Sequence, residues 1–130
     1  MVIIMKENIG DLGKTEWELL NICWEKGPKT TAKEVHEASL ANRYRSYVTV
    51  KTILDRLVDK GYLTRTKLGP IWLYSPDIKK QKVISEAIDD FLSTVMNRDR
   101  VMLVRNLLKG DMRPEEFEEI KAMIEQYCAE

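Results

Sequence analysis

The apolar residues of this chain follow a helical period up to residue 60, switch to a period of two across 62–75, and then return to a helical period. Side chains share a face about every 3.6 residues in a helix and every second residue in a strand. One such switch restricts the fold to a run of helices, a hairpin, and a helical tail. Trp17, Leu20, Cys23 and Trp24 line one face of a first helix over 15–26, which Gly27-Pro28 stops. Thr30 or Thr31 then offers an N-cap, with Glu34 as the reciprocal acceptor, for a second helix running to Leu40. The polar connector 41–46 leads to a third helix over 48–60, with Val50, Ile53, Leu54, Leu57 and Val58 inward and Gly61 as its C′ residue.

The β-prone runs 62–67 and 71–75 are separated by Leu68-Gly69-Pro70, where Pro70 predicts an irregular tip rather than a two-residue turn. Three helices and then a hairpin is the order of a winged helix-turn-helix with a two-stranded wing. Pro76-Asp77 marks the expected boundary between residues 1–76 and a helical segment, 77–130. In that segment Ile84, Ala87, Ile88, Phe91 and Val95 form one stripe, and Val101, Leu103, Val104, Leu107 and Leu108 a second. Pro114 suits the first turn of a last helix bearing Phe117, Ile120, Ile124 and Tyr127. The predicted class is mainly α with a small β-hairpin, a winged helix followed by a three-helix dimerisation segment.

Overall charge is uninformative, since 21 Lys+Arg balance 21 Asp+Glu, but its distribution is not. Residues 1–76 carry twelve basic and nine acidic side chains, and 77–130 the reverse. Within 43–67 seven basic residues face only Asp55 and Asp59, the footprint of a phosphate-binding stripe. In a helix-turn-helix the second helix of the pair enters the major groove and offers its early residues to base edges. Here those positions are Arg45, Ser46, Tyr47, Thr49, Lys51 and Thr52, hydrogen-bonding and cationic groups suited to bases and phosphates. Arg56, one turn on, is placed for a phosphate, and Arg65 and Lys67 share a face of the hairpin toward backbone or minor groove. Double-stranded DNA is the expected partner.

The strings Thr15-Glu16-Trp17-Glu18-Leu19-Leu20 with Ile22-Cys23-Trp24, Thr49-Val50-Lys51-Thr52-Ile53-Leu54-Asp55-Arg56-Leu57-Val58-Asp59-Lys60-Gly61, and Gly69 with Tyr74-Ser75-Pro76 resemble the penicillinase-repressor (BlaI/MecI-type) family. The likeness is good as far as Val95 and looser beyond. It implies a homodimeric repressor on an inverted-repeat operator, controlling β-lactam resistance or a related stress response. It also implies induction through a membrane-bound sensor-protease that has the C-terminal segment cut, the matching bond being Asn106–Leu107. Two departures stand out: Pro70 where the family often has a basic residue, and Leu107 where it has an aromatic one.

The remaining residues have plainer readings. Cys23 and the tryptophans at 17 and 24 belong to a core. His36 lies on a solvated helix within reach of Glu34 or Glu37, and Trp72 packs against the third helix. The acidic run 115–119 is a helix first turn favoured by the dipole. No nucleophile, base and orienting group assemble, so no enzyme is expected. The lone Cys128 near the C-terminus cannot supply a metal's ligand set, and no metal or other cofactor is expected. No apolar run reaches the ~18 residues of a membrane span, so no membrane insertion is expected. Met1–Lys6 does not read as a leader and the two cysteines match no disulfide framework, pointing to the cytoplasm. Dimer contacts are expected from Phe91, Val95, Val104, Leu108, Ile120, Ile124 and Tyr127, because so short a segment cannot bury these stripes alone. Two readings compete with repression: a protein-binding winged helix that never meets DNA, and a ligand- or metal-responsive winged-helix regulator.

Overall fold

The computed structural model describes residues 8–9 and 11–129; the opening stretch Met1–Lys6 lies outside them. A two-residue strand pair, β1 (Asn8–Ile9) and β2 (Leu12–Gly13), leads into α1 (Lys14–Lys26). Then come β3 (Thr30–Thr31), α2 (Ala32–Ser39), α3 (Tyr47–Asp59), β4 (Leu63–Leu68) and β5 (Ile71–Pro76). The helical remainder is α4 (Lys80–Thr94), α5 (Arg100–Leu108) and α6 (Pro114–Cys128).

Local chemistry explains most boundaries. Thr31 caps α2 by accepting from the Glu34 amide at 3.1 Å, while Glu34 accepts from the Thr31 amide at 2.9 Å, a reciprocal capping box. Gly61, at φ 89°, ends α3 in a Schellman arrangement: the Tyr62 amide reaches the Leu57 carbonyl and the Gly61 amide that of Val58, both at 3.0 Å. Asp99 caps α5 through the Met102 amide, and Pro114 opens α6, where its missing N–H costs nothing.

Two features differ from the sequence expectation. The sheet has three strands in the order β3-β5-β4, because Thr30 and Thr31 pair antiparallel with Tyr74 and Leu73 before the chain enters α2. The hairpin tip is a regular two-residue turn. Leu68 pairs with Ile71, Gly69 takes φ 61°, and Pro70 follows at a position compatible with its fixed negative φ.

Packing divides the chain into two units, 1–91 and 92–130. The first has one core, in which Leu12, Leu19 and Leu20 meet Val35 of α2, Leu54 and Leu57 of α3, and Leu63 and Tyr74 of the sheet. The chain just past Pro76-Asp77 also packs on this unit. The Trp24 indole N–H donates to the Ile78 carbonyl at 3.3 Å, Lys80 lies over the Trp24 ring, and Val83 is buried. The second unit is helical, and Leu92 is the buried hydrophobic among its described residues.

Candidate nucleic-acid interface

Helix α3 buries Val50, Ile53, Leu54 and Leu57, so the opposite face, with Val48, Thr49, Thr52 and Arg56, is open to solvent. Ser46 caps the helix: its Oγ accepts from the Thr49 amide at 3.1 Å and donates to Thr49 Oγ1 at 2.9 Å. Tyr47 is partly exposed and meets the edge of His36. Tyr44 is 81% exposed in the approach to the helix, and Val48 is 70% exposed in its first turn. Neither stood out in the sequence, because apolar side chains are normally assigned to a core.

The wing stands beside this helix. Leu63, Arg65 and Lys67 lie on one face of β4, and the register sets Arg65 opposite Tyr74 and Lys67 opposite Trp72. The Arg65 guanidinium sits 4.3 Å from the Trp72 ring centroid and Lys67 Nζ 5.2 Å, both in cation–π range. Trp72 thus packs on the core and also supports two cations. A concavity of about 330 Å³ between the start of α2, α3 and the wing is lined by Lys33, Tyr47, Lys51, Trp72 and Tyr74, among others.

Asp55 joins helix and wing. Its Oδ1 accepts from Tyr74 Oη at 2.6 Å and Arg65 Nη1 at 2.7 Å, and its Oδ2 from Lys51 Nζ at 3.1 Å. Partial burial pushes the Asp55 carboxyl up, but the Tyr74 and Lys51 hydrogen bonds and the charges of Lys51 and Arg65 outweigh it, leaving it below its ordinary value. Burial, then the Asp55 bond, pushes the Tyr74 phenol up, which keeps it protonated as a donor.

The basic stripe is therefore less open than its composition suggests. Arg45, expected to contact DNA, is 7% exposed and turned inward onto the Glu18 carboxylate of α1. The turn before α3 must pack against α1, and Glu18 neutralises the guanidinium that packing buries. His36 bonds the Arg45 carbonyl at 2.7 Å through Nε2 instead of pairing with Glu34 or Glu37. Lys60 meets Glu16 at 3.1 Å and the Asp11 carbonyl at 2.8 Å. Lys51 and Arg65 share Asp55, and Arg43 donates to Thr15 Oγ1. Thr49, Thr52 and Arg56 on the helix and Lys67 on the wing are among the exposed polar positions, and neither Arg56 nor Lys67 forms a side-chain ion pair among the described residues.

In the helical segment, Phe91, Val95, Val104, Leu108, Ile124 and Tyr127 are exposed, by 38–74%, and Ile120 is half-buried. Asn106 lies inside α5, donating from Nδ2 to the Met102 carbonyl at 2.8 Å, and Leu107 is 62% exposed. Cys23 is buried as expected, and burial pushes its thiol up to about 12.

A capped recognition helix, a preceding helix packed across it, and a cation-bearing wing define a winged helix-turn-helix. The penicillinase repressor family profile matches residues 12–126, and the chain belongs to that family. It is a DNA-binding transcriptional repressor and not an enzyme. The chain is 27% identical to the penicillinase repressor of Bacillus licheniformis over 122 residues, covering 93% of this chain and 94% of the relative. Over 115 residues it is 27% identical to the methicillin resistance regulatory protein MecI of Mammaliicoccus sciuri, covering 88% and 93%. A probable transcriptional regulator from Pseudomonas aeruginosa shares the fold, with TM-score 0.51 and 18% identity over 95% of this chain and 84% of that one.

Proposed function

We propose that the chain represses transcription as a homodimer occupying an inverted-repeat operator, with residues 1–76 reading DNA and 77–130 pairing two copies. The observation that carries the reading is the outward face of α3, where Thr49, Thr52 and Arg56 are exposed beside a wing bearing Arg65 and Lys67. Thr49 and Thr52 read base edges, Arg56 and Lys67 meet phosphates, and Tyr47 and Lys51 border the groove that receives the backbone. Ser46 acts by holding the helix start, and Arg45 by bracing the turn behind it.

The family membership supports control of β-lactam resistance or a related stress response, in the cytoplasm. No helix among the described residues is long and apolar enough to cross a membrane. Pairing through Phe91, Val95, Val104, Leu108, Ile120, Ile124 and Tyr127 would cover apolar stripes otherwise left in water, and would set two recognition helices about 34 Å apart. Induction by a sensor-protease cutting Asn106–Leu107 would uncouple the half-sites. Because that bond lies within α5, local unwinding must precede cleavage.

Fluorescence anisotropy with a duplex selected from a random library tests the reading. Nanomolar binding that weakens steeply with salt is expected, with a log–log slope that flattens by about one unit in Arg56→Ala. Thr52→Ala should change sequence preference at an unaltered slope. Binding insensitive to salt would refute the groove assignment. Mass spectrometry of repressor from induced cells tests the cleavage: a fragment ending at Asn106 supports it, and intact protein throughout refutes it.

A further inference from the structure

Asp55 is an anion on the face that the proposed function presents to a polyanion. Its charge would repel nearby phosphates, yet it is held at the junction of helix and wing by three donors, Lys51, Arg65 and Tyr74. Of these donors Tyr74 is fully buried and anchored in the core, whereas the Lys51 and Arg65 side chains are 35% exposed. The arrangement ties two mobile cations from different elements to one fixed point. It also leaves the group of three charges with a net of +1 instead of +2.

We propose that Asp55 is a positioning residue for DNA recognition: it fixes Lys51 and Arg65 between α3 and the wing and withholds part of their charge from non-cognate DNA. The proposal rests on the DNA-binding reading above and adds a division of labour to it. Two untethered cations would meet phosphates in many registers, since charge attraction along DNA is indifferent to sequence. Tethered to Asp55 and Tyr74, they meet the backbone favourably only where α3 also fits its bases. Preorganisation of this kind raises the difference between cognate and random binding while lowering random binding itself.

The test measures wild type, Asp55→Asn, Asp55→Glu and Tyr74→Phe against a duplex selected with the wild type and a random-sequence duplex of equal length, over a salt series. In Asp55→Asn, random-duplex binding tightens, its log–log salt slope steepens by about one unit, and the cognate-to-random affinity ratio falls by about tenfold. Asp55→Glu keeps the charge and therefore the wild-type slope. Tyr74→Phe keeps the charge but loosens the anchor, so its affinity ratio falls severalfold at an unchanged slope. It also serves if Asp55→Asn fails to fold, because an unchanged ratio in Tyr74→Phe overturns the proposal by itself. A folded Asp55→Asn with wild-type slope and ratio overturns it too, as does equal weakening on both duplexes, which marks a merely structural role. Wild-type protein that binds neither duplex at low salt would overturn the DNA reading, and this proposal with it.

Discussion

The two packing units treat their apolar side chains in opposite ways. In residues 1–91 the inward aliphatic faces of α1 and α3 are sealed, with Leu19, Leu20, Leu54 and Leu57 fully buried under the sheet residues Leu63 and Tyr74. In residues 92–130, α5 and α6 bury no residue, and Val101, Leu107, Phe117 and Tyr127 are each at least half exposed. The helices have the same kind of apolar periodicity in both places. What differs is that α1–α3 pack on one another and on a sheet within their unit, whereas α5 and α6 bury none of their described residues. Contiguous exposed apolar stripes of this kind mark a surface built for a partner, which supports pairing through this segment.

The contrast is most sharply tested by truncating one leucine in each unit. Leu54→Ala is expected to cost about 2–5 kcal/mol, the lost burial plus a cavity, whereas Leu107→Ala should change the unfolding of isolated monomer by no more than about 0.5 kcal/mol. Denaturant unfolding measures both, and equal losses would break the contrast. Next in size is Arg45→Ala, which leaves Glu18 facing a buried void and is expected to cost about 2–3 kcal/mol. Exposed Arg56→Ala should be nearly neutral in stability while weakening DNA binding. The reverse pattern would return Arg45 to the DNA-contacting set.

In the helical segment, Ile124→Asp is expected to raise the dimer dissociation constant by about tenfold or more without unfolding residues 1–91. Sedimentation at several concentrations tests this, and an unaltered association state would place pairing elsewhere. The smallest effect concerns the thiols. With its folded pKa raised from 9.0 to about 12, Cys23 contributes stability that is fully present below pH 9.0 and is lost as pH rises toward about 12. Thiol reagent at neutral pH should therefore modify exposed Cys128 at once and Cys23 only on unfolding. Prompt reaction of both thiols would show that the first unit's core is open to solvent.

Much of the scaffold could be read from residue order, and less of the site. The recognition helix followed from Val50, Ile53, Leu54 and Leu57 at helical spacing, and its end from Gly61. The wing's strands followed from period-two alternation, but the third strand did not, because Thr30-Thr31 is too short to show a period. The outward threonines were legible as the complement of the apolar face. The state of the cations was not, since counting charge within 43–67 omits Glu16 and Glu18, which lie outside that window.

The sequence alone determined what acts within about one helical turn: helical faces, a capping box between Glu34 and Thr30 or Thr31, the glycine stop at Gly61 and the Pro114 start. These depend on backbone geometry and neighbours a few positions away, so their signals survive without a fold. Only the tertiary structure decided which charges meet. Arg45 finds Glu18 across 27 positions and Lys60 finds Glu16 across 44, while Asp55 gathers donors from a helix and two strands. An ion's partner is set by which surfaces the core brings within a few ångströms, and Coulomb attraction at that range ignores distance along the chain.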